Sequence, residues 1–464
     1  MTLRADAVVV PVNPMNRKHE LKHLIEDTGA TVALVGQELL DHILPFVGQG
    51  KLKHVLVAAY ADKAGQDLDI PLPTGLDAPG CSDYGAECVI GWPEAEAMGL
   101  FPGALTTGAD DLAVIPYSSG TTGQQKGCMH THRTVMTMLI GGVMWNPNGR
   151  GEPSLAVLPL FNVIGMQGSM NCPIYCGEIV VLMSRLNRRT AAELIKRHGI
   201  ARWRCITTMI IDLLNDPDIE ASDLASLEVV SGDGAAMPAP IAKRMKELTG
   251  LDYIEGYGMS ETMAAMHINP TDRPHRQCLG IPVFDVDARV INPETGCEAR
   301  PNEAGEITIS APQVFLGYWN NPQATAAAFM EIDGKRFLRT GDIGRYDEEG
   351  YFYIINRLKR MINASAFKIW PTEVEAIIHD HPTVAEICVV SYPDPRRGES
   401  VLAYVVQRAE VSEEELISWC REEMAAYKVS RKIVFLDALP RNASGKLQWR
   451  QLAEQATQEF GEVG

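Results

Sequence analysis

The stretch YSSGTTGQQKG, residues 117–127, is the most informative segment of the chain for both fold and chemistry. A loop rich in glycine and small hydroxyl residues lets backbone N–H groups approach phosphate oxygens, and Lys126 adds a positive charge to such a site. The spacing excludes a P-loop NTPase, because two glutamines separate the last loop glycine from the lysine and no Ser or Thr follows it. The predicted phosphate contacts are Ser119, Gly120, Thr121, Thr122, Gly123 and Lys126.

Around this loop the sequence alternates short apolar runs with helical patterns, which is typical of an α/β protein. Helices are predicted at 190–199, opened by a Thr190 and Glu193 capping box and closed by Gly199, and at 238–250. A strand at 251–255 should then leave the segment GYGMSE on a loop at a strand end, where open α/β sheets bind ligands. Further strands are expected at 8–12, 32–35, 55–59, 112–117 and 179–183.

The C-terminal part has a different pattern, that of a small α+β unit. Helices are expected at 371–380 and at 411–424, the second opened by Ser412 and Glu415. The predicted domains are therefore 1–356 and 357–464. Strands are expected between and after the helices, at 385–391, 401–407 and 432–436.

Composition restricts the class of protein. The chain has 464 residues and a formal net charge of −17, which disfavours general binding to nucleic acids or anionic membranes, because such binding requires basic surface. Its 10 cysteines show no zinc-ligand spacing, so they are predicted to be reduced thiols. No secretory signal and no run long enough to span a membrane are visible. These features predict a cytoplasmic enzyme without an integral membrane segment.

YSSGTTGQQKG resembles the phosphate loop of the adenylate-forming superfamily, which includes acyl-CoA synthetases, luciferases and peptide-synthetase adenylation domains. Gln125 stands where that loop usually has proline. The resemblance covers nearly the whole chain and is closest to the fatty-acid-CoA ligases. It implies a large multi-sheet N-terminal domain, with α/β layers and a small β-rich part, joined by a hinge to a smaller α+β domain. It also implies ATP, Mg²⁺ and CoA.

Two further glycine-rich motifs extend the resemblance. SGDGAAMP, residues 231–238, is similar to the segment that lies along adenine, although a plain strand-to-helix turn fits it equally well. GYGMSET, residues 256–262, is similar to the next family motif, in which a tyrosine ring stacks on adenine and a glutamate binds Mg²⁺. The residues carried over are Gly234, Ala235, Ala236, Gly256, Tyr257, Gly258, Ser260 and Glu261 as the metal ligand.

Three motifs near the predicted hinge and C-terminus complete the nucleotide site. RTGDIGR, residues 339–345, places Asp342 where the family binds the ribose hydroxyls. NRLKR, residues 356–360, places Arg357 at a ribose and phosphate contact and Lys359 at the hinge. PRNASGKLQWRQL matches the motif whose lysine serves adenylation, here Lys446.

The substrate pocket departs from the family more than the nucleotide site does. Asn162 replaces a common histidine, and Ala366 stands where a glycine usually approaches pantetheine, which brings efficient thioester formation into question. Other pocket candidates are Val163, Gly165 and Met166. With Gln167, Met170 and Trp203 they predict an apolar pocket without a fixed charge, suited to a medium- or long-chain fatty acid.

Several alternatives remain open at this stage. An aryl or short branched acid-CoA ligase fits the same motifs, as does a non-catalytic nucleotide- and acyl-binding homologue, and pyrophosphate exchange would distinguish them. A homodimer is possible. Family members usually carry several dozen residues before the segment RADAVVVPVNP, so we expect either that the natural reading frame starts upstream or that this form is less stable.

Overall fold

The computed structural model describes residues 2–63, 70, 73–80, 84, 87–118, 125–146, 150–233, 237, 239–293, 295–357, 362–365, 367–440 and 447–461. None of the helices within these ranges is long and apolar enough to cross a membrane. The α-helices, in chain order, are α1 (Lys18–Thr28), α2 (Leu40–Ile43), α3 (Trp92–Ala97), α4 (His132–Trp145), α5 (Val163–Gly165), α6 (Cys172–Cys176), α7 (Arg188–His198), α8 (Thr207–Leu214), α9 (Ala239–Thr249), α10 (Pro322–Ala327), α11 (Pro371–His379), α12 (Glu413–Glu423) and α13 (Trp449–Phe460).

The N-terminal part begins with a parallel sheet and two short antiparallel pairs. The parallel strands are β1 (Val32–Gly36), β2 (His54–Ala58) and β3 (Val89–Gly91). One antiparallel pair joins β4 (Leu112–Val114) to β7 (His130–Thr131), and the other joins β5 (Tyr117–Ser118) to β6 (Lys126–Gly127). The second pair brackets the predicted phosphate loop, so its two ends are held side by side.

The central sheet positions the candidate site. Among the described residues it has seven strands in the order β14, β13, β12, β11, β10, β8, β9. In this spatial order, each pair of neighbouring strands between β12 and β9 is parallel, whereas β13 pairs antiparallel with both β12 and β14. The strands are β8 (Pro153–Ala156), β9 (Ile179–Leu182), β10 (Arg202–Arg204), β11 (Val229–Asp233), β12 (Tyr253–Met259), β13 (Ala264–Ile268) and β14 (Ile281–Pro282).

Two further sheets follow along the chain. The first is antiparallel and contains β15 (Asp287–Ile291), β16 (Gly305–Ser310), β17 (Phe329–Ile332), β18 (Lys335–Tyr346) and β19 (Phe352–Arg357). The second belongs to the C-terminal part and contains β20 (Ile362–Ala364), β21 (Phe367–Ile369), β22 (Val384–Asp394), β23 (Gly398–Gln407) and β24 (Lys432–Phe435). The C-terminal helices α11 and α12 contribute to one hydrophobic cluster with this sheet, and α13 packs in another.

Local sequence signals explain most element ends, with one correction. Gly199, at φ +59°, closes α7, as predicted, because glycine tolerates the left-handed conformation. The predicted Thr190 and Glu193 capping box is wrong. The helix starts earlier, because Asn187 accepts the Thr190 N–H at 3.1 Å and Asn is a strong N-cap. In α12 the predicted Ser412 cap is confirmed, since it accepts the Glu415 N–H.

Several predicted strand boundaries also differ from the structure. The strand predicted at 112–117 is divided into β4 and β5, which belong to different sheets. β12 continues through Met259, so the first part of GYGMSE is strand and not loop, because β13 folds back and pairs with it. Gly258 permits this pairing, since a Cβ there would lie 1.9 Å from the Ala264 carbonyl oxygen. The strand predicted at 8–12 is reduced to a single bridge between Val9 and Val114.

A buried ion cluster joins α1 to the C-terminal part. Lys428 Nζ lies 2.8 Å from a Glu20 carboxylate oxygen and 2.6 Å from one of Glu373. Glu20 also accepts the Ala425 N–H at 3.1 Å. Because Glu20 belongs to α1 and the other three residues follow β19 in the chain, this cluster fixes how the two parts meet.

Candidate active site

The candidate site lies where β11 and β12 end at the same edge of the central sheet. The predicted adenine segment begins within β11, and the segment containing Ser260 and Glu261 follows β12 directly as a 3₁₀ turn. Carboxyl ends of neighbouring parallel strands meet at one edge, where open α/β sheets bind ligands. The fold therefore brings two of the predicted nucleotide motifs together.

Glu261 and Lys126 meet around Tyr318, a residue that sequence analysis did not identify. The Tyr318 hydroxyl donates to Glu261 Oε1 at 2.8 Å, and Lys126 Nζ lies 5.3 Å from the centre of the Tyr318 ring. Ser118 Oγ also donates to Glu261 Oε1, at 3.3 Å, and Ser118 faces Lys126 across the β5–β6 pair. The phosphate-loop lysine and the predicted metal ligand thus share one environment.

The buried groups around Glu261 are uncharged at neutral pH. Burial, and then the charge of Glu261, raise the pKa of Tyr318 far above its usual range, so the phenol stays a neutral donor. Burial likewise raises the pKa of the Cys128 thiol, which makes it an unreactive thiol. His130 donates from Nε2 to the Ser260 carbonyl at 2.7 Å, and burial lowers its pKa to about 4. A neutral His130 therefore holds the turn that carries Ser260 and Glu261.

Asp342 is held by Tyr257. The Tyr257 hydroxyl donates to Asp342 Oδ2 at 2.6 Å, and its ring lies in a hydrophobic cluster with Met266 and Phe352. The antiparallel register of β18 and β19 places Asp342 directly opposite the backbone of Arg357. The two predicted ribose ligands, Asp342 and Arg357, therefore lie side by side on β18 and β19. Tyr257 orients the Asp342 carboxylate, in addition to its predicted contact with adenine.

Glu255 anchors the end of the predicted adenine segment. Its buried carboxylate accepts the Met237 N–H at 2.7 Å and the Cys278 N–H at 3.0 Å. Burial raises the pKa of Glu255, and these hydrogen bonds oppose the shift. A glutamate inside the apolar run of β12 was the available sequence signal, since such a residue needs buried donors.

A cleft, here called the central cleft, lies beside the central sheet, where Gly232 of β11 and Gly256 of β12 line it. Its other lining residues are mostly apolar, but Arg204 is among them, so the expectation of a pocket without a fixed charge is wrong. The lining also includes Met138, Trp145, Asn146, Ile164, Gln167, Ile254, Ala264, Ala265 and Ile268.

Most of the predicted pocket residues lie beside the central cleft and are not among the residues that line it. Asn162 caps the short α5 by accepting the Ile164 N–H at 3.4 Å. Val163 and Met166 pack in a hydrophobic cluster with Met138, and Gly165 lies against the Pro159 carbonyl. Their neighbours Ile164 and Gln167 supply the side chains that reach the cleft.

Several predicted site residues lie outside the described residues, so their roles rest on sequence. They are Ser119, Gly120, Thr121, Thr122, Gly123, Gly234, Ala235, Ala236, Lys359, Ala366, Lys446 and the side chain of Arg357.

The donor set fits a magnesium ion that is shared with substrate phosphates. The part of the chain that the structure describes contains no group of three or more His, Cys, Asp or Glu residues able to hold a metal. Mg²⁺ is usually bound by one or two carboxylates plus phosphates and water, and a dedicated protein cage is not required. Glu261, at the turn after β12, offers such a carboxylate oxygen.

Comparisons with known proteins agree with this geometry. The family model described as AMP-binding enzyme matches residues 2–319, and that of its C-terminal domain matches 373–446. A long-chain-fatty-acid-CoA ligase of Bacillus subtilis is 32% identical over 98% of this chain and 82% of the relative. A 4-coumarate-CoA ligase of Oryza sativa is 30% identical over 97% of this chain and 79% of the relative.

The similarity extends to solved structures. A double mutant of the o-succinylbenzoate-CoA synthetase of Bacillus subtilis, bound with a product analogue, matches with a TM-score of 0.76 and 26% identity. The match covers 96% of this chain and 83% of that chain. These findings confirm the predicted fold class and the resemblance to adenylate-forming enzymes, and acyl-CoA ligases of this kind use ATP, Mg²⁺ and CoA. The chain belongs to the AMP-binding enzyme family and is an ATP-dependent, AMP-forming acid-CoA ligase.

Proposed function

We propose that the acid is one with an apolar body of medium or long chain, bound in the central cleft. The observation that carries this proposal is that Gly232 and Gly256, which lie within the two predicted nucleotide motifs, also line the cleft. An acid in the cleft would therefore present its carboxylate at the strand ends, beside the nucleotide. Met138, Ile164 and Ile254 supply the apolar lining, and the long-chain-fatty-acid-CoA ligase relative supports the assignment.

The first step joins the acid to AMP. The substrate carboxylate is already anionic at neutral pH, so no general base is needed. One carboxylate oxygen forms a bond to the α-phosphorus of ATP while the bond to pyrophosphate breaks. Lys126 and Lys446 neutralise the phosphate oxygens, which is the main requirement when two anions meet. Mg²⁺ held by Glu261 would supply further charge neutralisation there.

The second step transfers the acyl group to CoA. The thiol sulfur forms a bond to the activated carbonyl carbon, the bond to the phosphate oxygen breaks, and the thiol proton passes to solvent. AMP is the leaving group of this step, and Asp342 and Arg357 would bind its ribose hydroxyls. We propose that the domain boundary lies at residues 356 and 357, and that rotation about Lys359 exchanges Lys446 for the CoA thiol between the two steps. The cytoplasmic location predicted from the sequence is also part of the proposal.

An aryl acid is a second candidate. Trp145 lines the cleft and offers a flat apolar face, and the 4-coumarate-CoA ligase relative shares the fold and motifs. Aromatic and straight-chain acids of similar volume would both fit an apolar cleft, so the two candidates need a direct comparison.

The test is product identification across a panel of acids. The enzyme would be incubated with ATP, Mg²⁺, CoA and either straight-chain, aromatic or short branched acids, and the acyl-CoA and nucleotide products identified by mass spectrometry. We expect one acyl-CoA per AMP, with the highest kcat/KM for straight-chain acids. Preference for aromatic acids would move the assignment to the second candidate, and formation of ADP would contradict the mechanism.

A further inference from the structure

Arg204, at the end of β10, gives the central cleft a positive charge. It lines the cleft and also a smaller adjoining cavity, here called the distal cavity. Among the described residues, no acceptor forms a hydrogen bond or ion pair with its guanidinium. A half-buried guanidinium has only donors, and it is unfavourable in an apolar cleft without an acceptor. The proposed catalytic steps do not use it.

The distal cavity contains further buried donors without partners. Ser154, Ser169 and Trp203 are 8%, 4% and 1% exposed, and all three line it. Within the described part of the chain, the two hydroxyl oxygens and the indole nitrogen have no hydrogen-bond partner. The indole N–H is a donor only, and the hydroxyls can donate. Because buried polar groups are normally paired, this set is suited to a bound acceptor group.

The surrounding charges leave Arg204 as the group that attracts an anion. Arg202 also lines the distal cavity, but it is committed to Glu152 at 3.2 Å and to Asn146. Glu178 is an acidic residue of the lining, and it makes no ion pair with Arg204 in the described structure. The distal cavity therefore contains two arginines. Arg202 is paired with the Glu152 carboxylate, and Arg204 would pair with a carboxylate of the ligand.

The backbone makes room for this guanidinium. A Cβ at Gly168 would lie 2.3 Å from Arg204 Cδ and 2.4 Å from Nη1, so any side chain there would displace the arginine. Gly168 belongs to the π-helical turn Met166–Asn171, which borders both cavities. The glycine lets Arg204 lie across this turn and reach the cleft.

We propose that the central cleft and the distal cavity together bind a dicarboxylic acid, whose second carboxylate pairs with Arg204 and accepts from Ser169 or Trp203. A carboxylate matches the guanidinium with two parallel hydrogen bonds, and it neutralises the buried charge. The apolar body of the acid lies between the two ends, and the reacting carboxylate remains at Gly232 and Gly256. This inference rests on the proposed function and specifies its substrate class.

The experiment compares saturated monocarboxylic acids with dicarboxylic acids of matched chain length, using kcat/KM for AMP formation. We expect the wild-type enzyme to prefer a dicarboxylic acid. Arg204→Met should reduce kcat/KM for that acid by about 100-fold or more, the effect of removing one partner of a buried charge pair. The kcat/KM for the monocarboxylic acid should be unchanged or higher. The variant should therefore prefer the monocarboxylic acid, which is the reverse of the wild-type preference. A purely structural arginine would lower both values equally.

Two other variants keep the test informative if Arg204→Met folds poorly. Gly168→Ala retains the charge but displaces the guanidinium, so it should lower the ratio of dicarboxylic to monocarboxylic activity in the same direction. Arg244→Met removes an exposed arginine outside both cavities and should leave the ratio unchanged. Equal use of the two acid classes by the wild-type enzyme, or an unchanged ratio in Arg204→Met and Gly168→Ala, would overturn the inference.

Different results would contradict the proposed function. If no acid of any class supports AMP formation, the ligase assignment for the cleft is wrong. If monocarboxylic acids are activated and dicarboxylic acids are not preferred, the ligase assignment holds and only the second carboxylate site is rejected. A preference for acids with a neutral terminal hydroxyl or amide would also reject it.

Discussion

At the scale of single residues, the chemistry depends on charges that the fold holds a short distance apart. Glu261 accepts from Tyr318 and Ser118, which fixes its carboxylate while leaving oxygen capacity for a metal. Asp342 is fixed in the same way by the Tyr257 hydroxyl. In both cases a hydroxyl donor fixes the position of a carboxylate.

Replacing Glu261 by glutamine should weaken the response to magnesium. The amide oxygen can still accept from Tyr318, so we expect little change in stability. The Mg²⁺ concentration for half-maximal adenylation should rise roughly 10- to 100-fold, because a charged metal ligand is lost. Glu193→Gln is the control, since Glu193 pairs with Arg197 within α7 and belongs to none of the site motifs. Identical Mg²⁺ dependence in the wild type and Glu261→Gln would count against the assignment.

The lysine of the C-terminal motif should serve only one of the two steps. Lys446→Ala is expected to slow adenylation by more than about 100-fold, the usual effect of removing a placed electrostatic donor. Thioester formation from a supplied acyl-adenylate should be nearly normal. Single-turnover measurement of each half-reaction tests this division, and equal losses in both would contradict it.

His267 should make the fold sensitive to acid. It is fully buried, and burial lowers its pKa from 6.5 to about 3. As pH falls below 6.5 the unfolded chain takes up this proton first, so stability should decrease by about 1.4 kcal/mol per pH unit until the folded pKa is reached. In urea titrations, His267→Phe should flatten this slope, whereas exposed His19→Phe should not. An unchanged slope in His267→Phe would refute the assignment.

The sequence places Glu261 and Asp342 in short motifs from which their roles are predicted, but it does not indicate the residues that contact them. Tyr318 reaches Glu261 from 57 residues away, a contact that no local pattern indicates. Arg204 lies at the end of a three-residue strand, and its place in the cleft depends on the register of β10 and on the glycine at 168.

At the scale of elements, tight backbone contacts set the shape of the cleft. The Pro159 carbonyl, in the segment after β8, lies against Gly165 of α5, and β12 pairs closely with β13. Sequence periodicity predicted β1, β2 and β9 because each is an apolar run. It missed the continuation of β12, because GYGMS contains two glycines and its strand conformation comes from pairing with β13.

Gly165 should not tolerate a side chain. A Cβ there would lie 2.2 Å from the Pro159 carbonyl oxygen, so Gly165→Ala must shift α5, which carries the cleft residue Ile164. We expect a loss of about 1–3 kcal/mol in stability and a raised KM for the acid. Gly141→Ala in α4 has open space around its Cβ and should gain about 0.5–1 kcal/mol. Equal stability of the two variants in thermal unfolding would contradict this reading.

At the scale of the whole molecule, the cluster of Glu20, Lys428 and Glu373 joins the two parts of the chain. Lys428 is 0% exposed, and burial opposes its charge while the two carboxylates raise its pKa. The rotation of the C-terminal part proposed above would separate Lys428 from Glu20 but keep it beside Glu373. The cluster therefore stabilises the orientation seen here relative to others.

Removing the lysine should be far more damaging than removing an exposed neighbour. Lys428→Met leaves two buried carboxylates without their cation, which costs about 3–5 kcal/mol. Lys18→Met breaks a 3.8 Å pair with Glu423 at the same junction, but Lys18 is 75% exposed and its loss should be below about 1 kcal/mol. Chemical denaturation of both variants tests the contrast. Equal stabilities would show that the cluster does not hold the two parts together.

Acid-dependent exchange of labelled pyrophosphate into ATP, measured without CoA, tests the central claim most directly. The exchange requires reversible formation of an acyl-adenylate, so it isolates the step that Lys126, Glu261 and Lys446 are proposed to perform. We predict exchange that depends on both the acid and Mg²⁺ and is slowed by more than about 100-fold in Lys446→Ala. Absence of exchange with every class of acid, in a folded protein that binds ATP, would contradict the account.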